Sequence, residues 1–271
     1  MDSITLAFIG GGHMAGAILG GLVASGQDPA SLRVIEPNAD TRKRLQQRYG
    51  VAAQAEADAA LADAAIVVWA VKPQVFAEAA APCKPHIAQA LQLSVMAGVR
   101  SDALVQATGS ERIVRAMPNT PALIGRGIAG LYARPAVGPA ERGAVEQLLA
   151  PTGQTLWVPD EALLDAVTAL SGSGPAYVFY LLEAMIDAGT QMGLDAAASR
   201  RLAEATVAGA AALAASRPED SPTTLREQVT SKGGTTHAAI TSMQDAGVGP
   251  AIVQAILAAQ KRARELGDAK G

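Results

Sequence analysis

Short apolar runs alternate with amphipathic stretches through the first half of the chain. We predict strands at the runs Ile4–Ile9, Leu32–Glu36, Ala65–Val71, Leu93–Val95, Ile113–Arg115, Ile128–Tyr132 and Thr155–Val158. Apolar residues recur at helical spacing in His13–Ser25, Thr41–Tyr49 and Pro139–Leu149. Continuous apolar strands that alternate with helices are typical of a parallel sheet whose two faces are both covered.

The strand pattern stops after Val158, and the rest of the chain has helical periodicity only. We predict helices from Pro175 to Gly193, from an Asp195 cap to Ser216, and at Thr223–Val229, Ala238–Asp245 and Ala251–Leu266. The pattern therefore predicts an α/β domain over residues 1–160 and an all-α domain over residues 161–271.

A glycine cluster follows the first predicted strand and opens the first predicted helix. Gly10, Gly12 and Ala15 occupy the G-x-G-x-x-G/A positions of the dinucleotide fingerprint. Glu36 ends the next strand about 20 residues later, where an acid contacts the adenine ribose. We interpret residues 1–160 as a Rossmann domain, with a mostly parallel, doubly wound sheet.

Three further segments follow predicted strands, where ligands bind in such sheets. They are Val71-Lys72-Pro73, the segment around Ala97, and the loop that contains Asn119 between two prolines. A solvated lysine at a strand end would also explain Lys72, and turn capping would also explain Asn119.

The polar stretch from Thr230 to His237 lies in the helical half. Ser231, Gly233, Gly234, Thr235 and Thr236 precede a predicted helix, so consecutive N–H groups there can bind an anion. A plain capping turn is the alternative interpretation.

Composition narrows the function classes. A length of 271 residues favours two domains, and a net charge of −3 argues against nucleic acid or an anionic membrane as the main partner. The single cysteine excludes an internal disulfide and a multi-cysteine zinc site, and we predict no metal site. Neither a secretory signal nor a membrane-length apolar run is evident, so a cytoplasmic location is expected.

These motifs together resemble the pyrroline-5-carboxylate reductase family. The resemblance rests on FIGGGHMAGAILGGL (8–22), AVKP (70–73), RAMPNTPAL (115–123), SGSGPAY (171–177), EAMIDAG (183–189), TSKGGTT (230–236) and AQKRARELG (259–267). Two positions depart from the family pattern: His13 stands where the family usually has Asn, and Lys232 stands where it usually has Pro.

The resemblance implies reduction of the cyclic imine 1-pyrroline-5-carboxylate to L-proline. NADPH is the usual reductant in the family and NADH the alternative. Glu36 favours NADH, whereas Asn38, Arg42 and Lys43 are candidates for a 2′-phosphate site just beyond it. It also implies a helical domain that forms a homodimer, or a larger ring of dimers.

The resemblance further implies roles for individual residues. Gly10, Gly12, His13 and Met14 would hold the pyrophosphate, while Lys72, Ala97 and Asn119 would line the nicotinamide side. The loop from Gly233 to Thr236, with the Ser231 hydroxyl, would bind the substrate carboxylate, and Thr236 would meet the ring nitrogen.

Two other functions are weighed against this one. A β-hydroxyacid dehydrogenase shares the two-domain plan but needs a general base, typically an interdomain lysine, and no lysine occurs between Lys84 and Lys232. A non-catalytic dinucleotide sensor has no need of a second anion-binding loop.

Overall fold

The computed structural model describes residues 5–269. Its strands are β1 (Leu6–Ile9), β2 (Leu32–Ile35), β3 (Ala53–Gln54), β4 (Ile66–Trp69), β5 (Leu91–Ser94), β6 (Ile113–Met117), β7 (Gly127–Ala133) and β8 (Gly153–Trp157). They form one sheet in the order β3-β2-β1-β4-β5-β6-β7-β8. The strand order reverses direction beside β1, so the switch point at which α/β sheets bind ligands lies between β1 and β4.

Parallel pairing runs from β3 to β6, then β7 pairs antiparallel with β6, and β8 pairs parallel with β7. The helices of this part are α1 (His13–Ala24), α2 (Ala39–Tyr49), α3 (Phe76–Cys83), α4 (Ser101–Thr108), α5 (Pro139–Leu149) and α6 (Leu163–Val167). Two apolar clusters lie on opposite faces of the sheet, since Phe8 and Val68 belong to one, and Ala7 and Trp69 to the other. The predicted Rossmann fold is confirmed.

The helical elements that follow are α7 (Gly174–Gln191), α8 (Ala196–Ser216), α9 (Pro222–Gln228), α10 (Thr235–Asp245) and α11 (Val248–Asp268). Residues 174–258 form one compact unit, and residues 259–269 belong with residues 5–173 to the other. Within the helical unit α7 packs on α8, where a Cβ on Gly189 would lie 2.6 Å from Ser199 Oγ. Large apolar side chains nevertheless face solvent there, and they include Phe179, Tyr180 and Leu202.

The predicted helices differ from the observed ones mainly at their starts. Asp195 caps α8 as predicted, its carboxylate accepting from Ala198 N at 2.8 Å. In contrast, α10 begins at Thr235 rather than at Ala238. The last helix, α11, begins at Val248 rather than at Ala251, because the first turn of a helix tolerates a proline, here Pro250. The predicted first strand began at Ile4, which lies outside the described residues. Among the helices of residues 5–269, none combines the length and apolarity needed to cross a bilayer.

Candidate functional site

The glycine loop after β1 lies against the end of β4. Gly10 has φ +97°, and a Cβ there would lie 2.7 Å from the Ala70 carbonyl oxygen, so only glycine fits. Gly12 differs, because a Cβ on it would meet no described atom within 4 Å, and its backbone is extended. The protein's own packing therefore gives no reason for glycine at this position.

Gly12 is the N-cap residue of α1, and it has no side chain that could accept a hydrogen bond from the first-turn N–H groups. The N–H group of Met14 is one of them. Free N–H groups beside an open space at a helix N-terminus form an anion site. The residues present therefore fit a dinucleotide pyrophosphate, with His13 exposed at the start of the helix.

Glu36 lies at the carboxyl end of β2, next to the glycine loop. Its two carboxylate oxygens accept from Gly11 N and Asn38 N, both at 2.8 Å. The Asn38 side chain caps α2 by accepting from Thr41 N at 2.8 Å, and Arg42 Nη1 donates to the Glu36 and Pro37 carbonyls. Glu36 thus occupies the position of a ribose-binding acid, while the Arg42 guanidinium is held by backbone carbonyls.

The loops after β4 and β5 border the same edge of the sheet, because β1, β4 and β5 are parallel neighbours. Val71 lies beside the glycine loop, with its Cγ1 3.0 Å from the Cβ that Gly10 lacks. Lys72 precedes a 3₁₀ turn that starts at Pro73, and its side chain is exposed, as is Ala97 on the next loop. The geometry brings these residues to the predicted edge.

Asn119 follows β6, and its side chain makes two hydrogen bonds within the protein. Its Nδ2 donates to the Ser171 carbonyl at 3.2 Å, and its Oδ1 accepts from Ile128 N at 3.1 Å. Ser171 belongs to a π-helical turn, Thr168–Gly172, a geometry that is frequent at functional sites. Asn119 therefore links the RAMPNTPAL segment (115–123) to the SGSGPAY segment (171–177). Its role toward the nicotinamide stays a prediction.

Sequence reasoning missed a cluster of buried charges beside this edge. Arg100 donates to both Asp165 oxygens, at 3.1 and 2.9 Å. Glu161 accepts from Arg115 Nη1 at 2.7 Å and from Ser101 N and Oγ, both at 2.6 Å. The signal available in the sequence was an arginine, Arg115, inside an otherwise apolar strand, which requires a buried partner.

Burial and pairing act in opposite directions on these two arginines. Burial lowers the pKa of Arg115, although the hydrogen bond with Glu161 opposes that change. Hydrogen bonding to Asp165 raises the pKa of Arg100. Among the described residues, Arg115 Nε has no hydrogen-bond partner.

The loop before α10 forms a tight turn within the helical unit. Gly233 has φ +77°, Gly234 N donates to the Ser231 carbonyl at 3.0 Å, and a Cβ on Gly234 would lie 2.6 Å from Ser231 Oγ. Thr235 and Thr236 form the first turn of α10, whose N-cap glycine offers no side-chain acceptor. The first-turn N–H groups of α10 therefore have no side-chain cap and lie beside two hydroxyl groups, as an anion site requires.

Residues 5–269 contain no group of three His, Cys, Asp or Glu side chains placed to hold a metal ion.

A family model described as "Pyrroline-5-carboxylate reductase dimerisation" matches residues 161–266, and one described as "NADP oxidoreductase coenzyme F420-dependent" matches residues 5–98.

Curated relatives match along the whole chain. The pyrroline-5-carboxylate reductase of Pseudomonas aeruginosa is 43% identical over 276 residues, covering 100% of both chains. The enzyme of Haemophilus influenzae is 40% identical, covering 98% of both.

Solved structures share the fold. A pyrroline-5-carboxylate reductase from Coxiella burnetii superposes with a TM-score of 0.92 at 35% identity, covering 98% of this chain and 99% of that one. The Plasmodium falciparum enzyme, solved with NADP bound, gives a TM-score of 0.84 at 27% identity, with the same coverage.

Proposed function

The chain belongs to the pyrroline-5-carboxylate reductase family, and on that premise we propose how its residues carry out the reaction. It is an NAD(P)H-dependent oxidoreductase that reduces 1-pyrroline-5-carboxylate to L-proline. The observation that carries this assignment is the match to curated reductases along the entire chain.

We assign the cofactor to the switch point of the sheet. Gly10 permits the turn, and the N–H groups of Gly12, His13 and Met14 bind the pyrophosphate at the N-terminus of α1. The open space beside Gly12 supports this assignment. Glu36 and Asn38 bind the adenosine end, where the Glu36 carboxylate accepts from a ribose hydroxyl.

The nicotinamide supplies the hydride when it is bound. Val71, Lys72, Pro73, Ala97 and Asn119 line its side of the site, at the carboxyl ends of β4, β5 and β6. Their work is to fix the ring and to exclude water, since positioning supplies much of the catalysis in hydride transfer to a good acceptor.

We assign the substrate to the loop before α10. The N–H groups of the loop from Gly233 to Thr236 that make no bond within the turn, together with the Ser231 hydroxyl, bind the carboxylate, while the Gly234 N–H holds the turn through the Ser231 carbonyl. The Thr236 hydroxyl meets the ring nitrogen, which changes from imine to amine, and a hydroxyl group can donate or accept as that nitrogen changes protonation.

Purified protein is expected to oxidise NADPH when it receives the imine and to leave 3-hydroxyacids unchanged. Turnover of a hydroxyacid without turnover of the imine would contradict the assignment. The absorbance of the reduced nicotinamide follows both reactions, because it falls when NADPH reduces the imine and would rise if NADP+, supplied separately, oxidised a hydroxyacid.

Thr236→Val tests the substrate loop, because it keeps the branched side chain and removes only the hydroxyl group. Loss of one hydrogen bond in the site costs about 1–3 kcal/mol, so kcat/KM should fall about five- to 150-fold. Cofactor affinity should stay the same. Ser231→Ala is the matched variant, and it should mainly raise KM because it weakens carboxylate binding in the ground and transition states alike.

We also propose a homodimer, or a ring of dimers, formed through the helical part within residues 161–271. The dimerisation family model matches there, and Phe179, Tyr180 and Leu202 are exposed. The absence of a strong net positive charge gives no support for nucleic acid as a partner. A single cysteine fits the reducing cytoplasm, where we place the protein.

A further inference from the structure

We propose that Arg100 and Asp165 are positioning residues, which fix the loop after β5 where it borders the nicotinamide. This inference rests on the proposed function, because that function gives Ala97 its place beside the cofactor ring. Neither side chain touches the reacting atoms in this proposal; the pair acts through the loop.

The loop from Val95 to Val99 is anchored on both sides of its tip, because Met96 and Val99 are buried in an apolar core cluster. Val95 N donates to the Trp69 carbonyl at 3.0 Å, and Met96 N donates to Ser94 Oγ at 3.3 Å. Ala97 is exposed at the tip, and Gly98 has φ +69°. The tip also lies near α11, since a Cβ on Gly98 would be 3.5 Å from the Leu266 carbonyl oxygen. Its position therefore depends on these contacts and on how the C-terminal end of the loop is held.

That end is held by Arg100, the N-cap residue of α4. Its guanidinium makes the two-bond contact with Asp165 described above, and the side chains are only 17% and 8% exposed. A planar, two-bond contact fixes orientation as well as distance. Gly267 lies over the guanidinium, since a Cβ there would be 2.6 Å from Arg100 Cζ, and Asp268 accepts from Nη2 at 3.3 Å.

A second carboxylate holds the next residue. Glu161 accepts from both Ser101 N and Ser101 Oγ, and Arg115 on β6 holds Glu161 in turn. Because β6 is a buried strand of the sheet, this contact ties the start of α4 to the rigid part of the fold. Two arginine–carboxylate contacts thus fix the residues that directly follow the loop.

Stability alone gives little reason for such a cluster. Buried ion pairs are often replaceable by apolar side chains without loss of stability, and Arg115 Nε is buried without a partner among the described residues. Geometry gives a better reason, since a displacement of about 1 Å in a reacting group can cost about a hundred-fold in rate. We therefore attribute the cluster to placement of the loop.

Asp165→Asn tests the proposal, because it keeps the size of the side chain and removes the charge that orients Arg100. We expect kcat, per folded enzyme, to fall about ten-fold or more, while the Kd for NADPH changes by less than about two-fold. The pyrophosphate and adenosine contacts lie elsewhere on the edge, which is why affinity should persist. The isotope effect on kcat with NADPH deuterated at the transferred position should rise, because hydride transfer becomes slower.

Glu141→Gln is the matched control, since it removes the carboxylate of another arginine pair in the same unit, that with Arg112. It should leave kcat and the isotope effect unchanged, whatever it does to Tm. Should Asp165→Asn fail to fold, Arg100→Lys replaces it, because lysine keeps the charge but cannot make the two-bond contact.

An unchanged kcat in the folded Asp165→Asn or Arg100→Lys enzyme would overturn the proposal. So would a loss of activity that saturating NADPH restores, because such a loss reflects weaker cofactor binding alone. The unmodified enzyme separates this failure from failure of the proposed function, because only the latter predicts no imine turnover at all.

Discussion

Replacing Gly12 with alanine should separate cofactor binding from folding. The backbone at Gly12 has φ −66° and ψ −168°, which alanine adopts readily, and the added Cβ would meet no atom of the described chain within 4 Å. The same Cβ would project into the space that we assign to the pyrophosphate. The substitution should therefore leave folding intact and weaken binding of the cofactor.

The expected change in stability is small because two effects oppose each other. Alanine is a poorer N-cap residue than glycine, and the difference costs about 0.5–1 kcal/mol. Reduced freedom of the unfolded chain stabilises the variant by about 0.4–1 kcal/mol. The free energy of unfolding should therefore stay within about 1 kcal/mol of the unmodified value.

The expected change in binding is larger. Displacing the phosphate from one N–H group removes a charge-assisted hydrogen bond of about 1.5–3 kcal/mol, which raises the Kd for NADPH about ten- to a hundred-fold. Energy transfer from tryptophan to the bound nicotinamide measures the Kd, and Trp69 ends β4 beside the proposed site.

Gly138→Ala is the control, since Gly138 is also an N-cap residue in extended conformation, and its added Cβ would come no closer than 3.9 Å to another atom. It shares the cost of capping but lies on α5, outside the proposed site. Gly10→Ala is the opposite case, because its positive φ and the 2.7 Å approach to the Ala70 oxygen should cost about 2–6 kcal/mol of stability. A Gly12→Ala protein that binds NADPH as tightly as the Gly138→Ala protein would refute the placement of the pyrophosphate.

Three further outcomes are expected. Glu36→Gln should raise the NADPH-to-NADH ratio of kcat/KM about ten-fold, because it removes the charge that opposes a 2′-phosphate; an unchanged ratio would show that Glu36 does not contact the ribose. Burial raises the pKa of the Cys83 thiol to about 11, so a thiol reagent at pH 8 should titrate one group only after denaturation, and rapid labelling of native protein would contradict the buried placement. Light scattering at micromolar concentration should give at least twice the mass of one chain, whereas a stable monomer would contradict assembly through the helical part.

Much of the fold could be predicted because periodicity reports burial. The run that became β4, for example, is buried on both faces and reads as strand from Ile66 to Trp69. The antiparallel placement of β7 could not be predicted. It depends on how the connection from Thr120 to Gly125 turns the chain back so that β7 pairs with β6. The start of α10 at Thr235 was missed because hydroxyl residues favour turns as well as first helical turns.

The candidate site divides in a similar way. Glycine spacing indicated the loop at Gly10 and Gly12 because steric limits act locally along the chain. The Asn119 contact with Ser171 and the pairing of Arg100 with Asp165 join residues far apart in sequence. Such contacts depend on how the strands and turns come together, which a single sequence does not report.

The return of residues 259–268 to the first unit has a consequence for protein synthesis. A ribosome releases the whole sheet, and then residues 174–258, before Gly267 and Asp268 can reach Arg100. Because domains fold as they emerge, the nascent chain holds a nearly finished first unit whose Arg100 lacks these two neighbours until residues 267 and 268 have left the ribosome. A chain that stops near residue 258 would therefore keep the pairing of Arg100 with Asp165 but would lack the cover that Gly267 and Asp268 give the guanidinium.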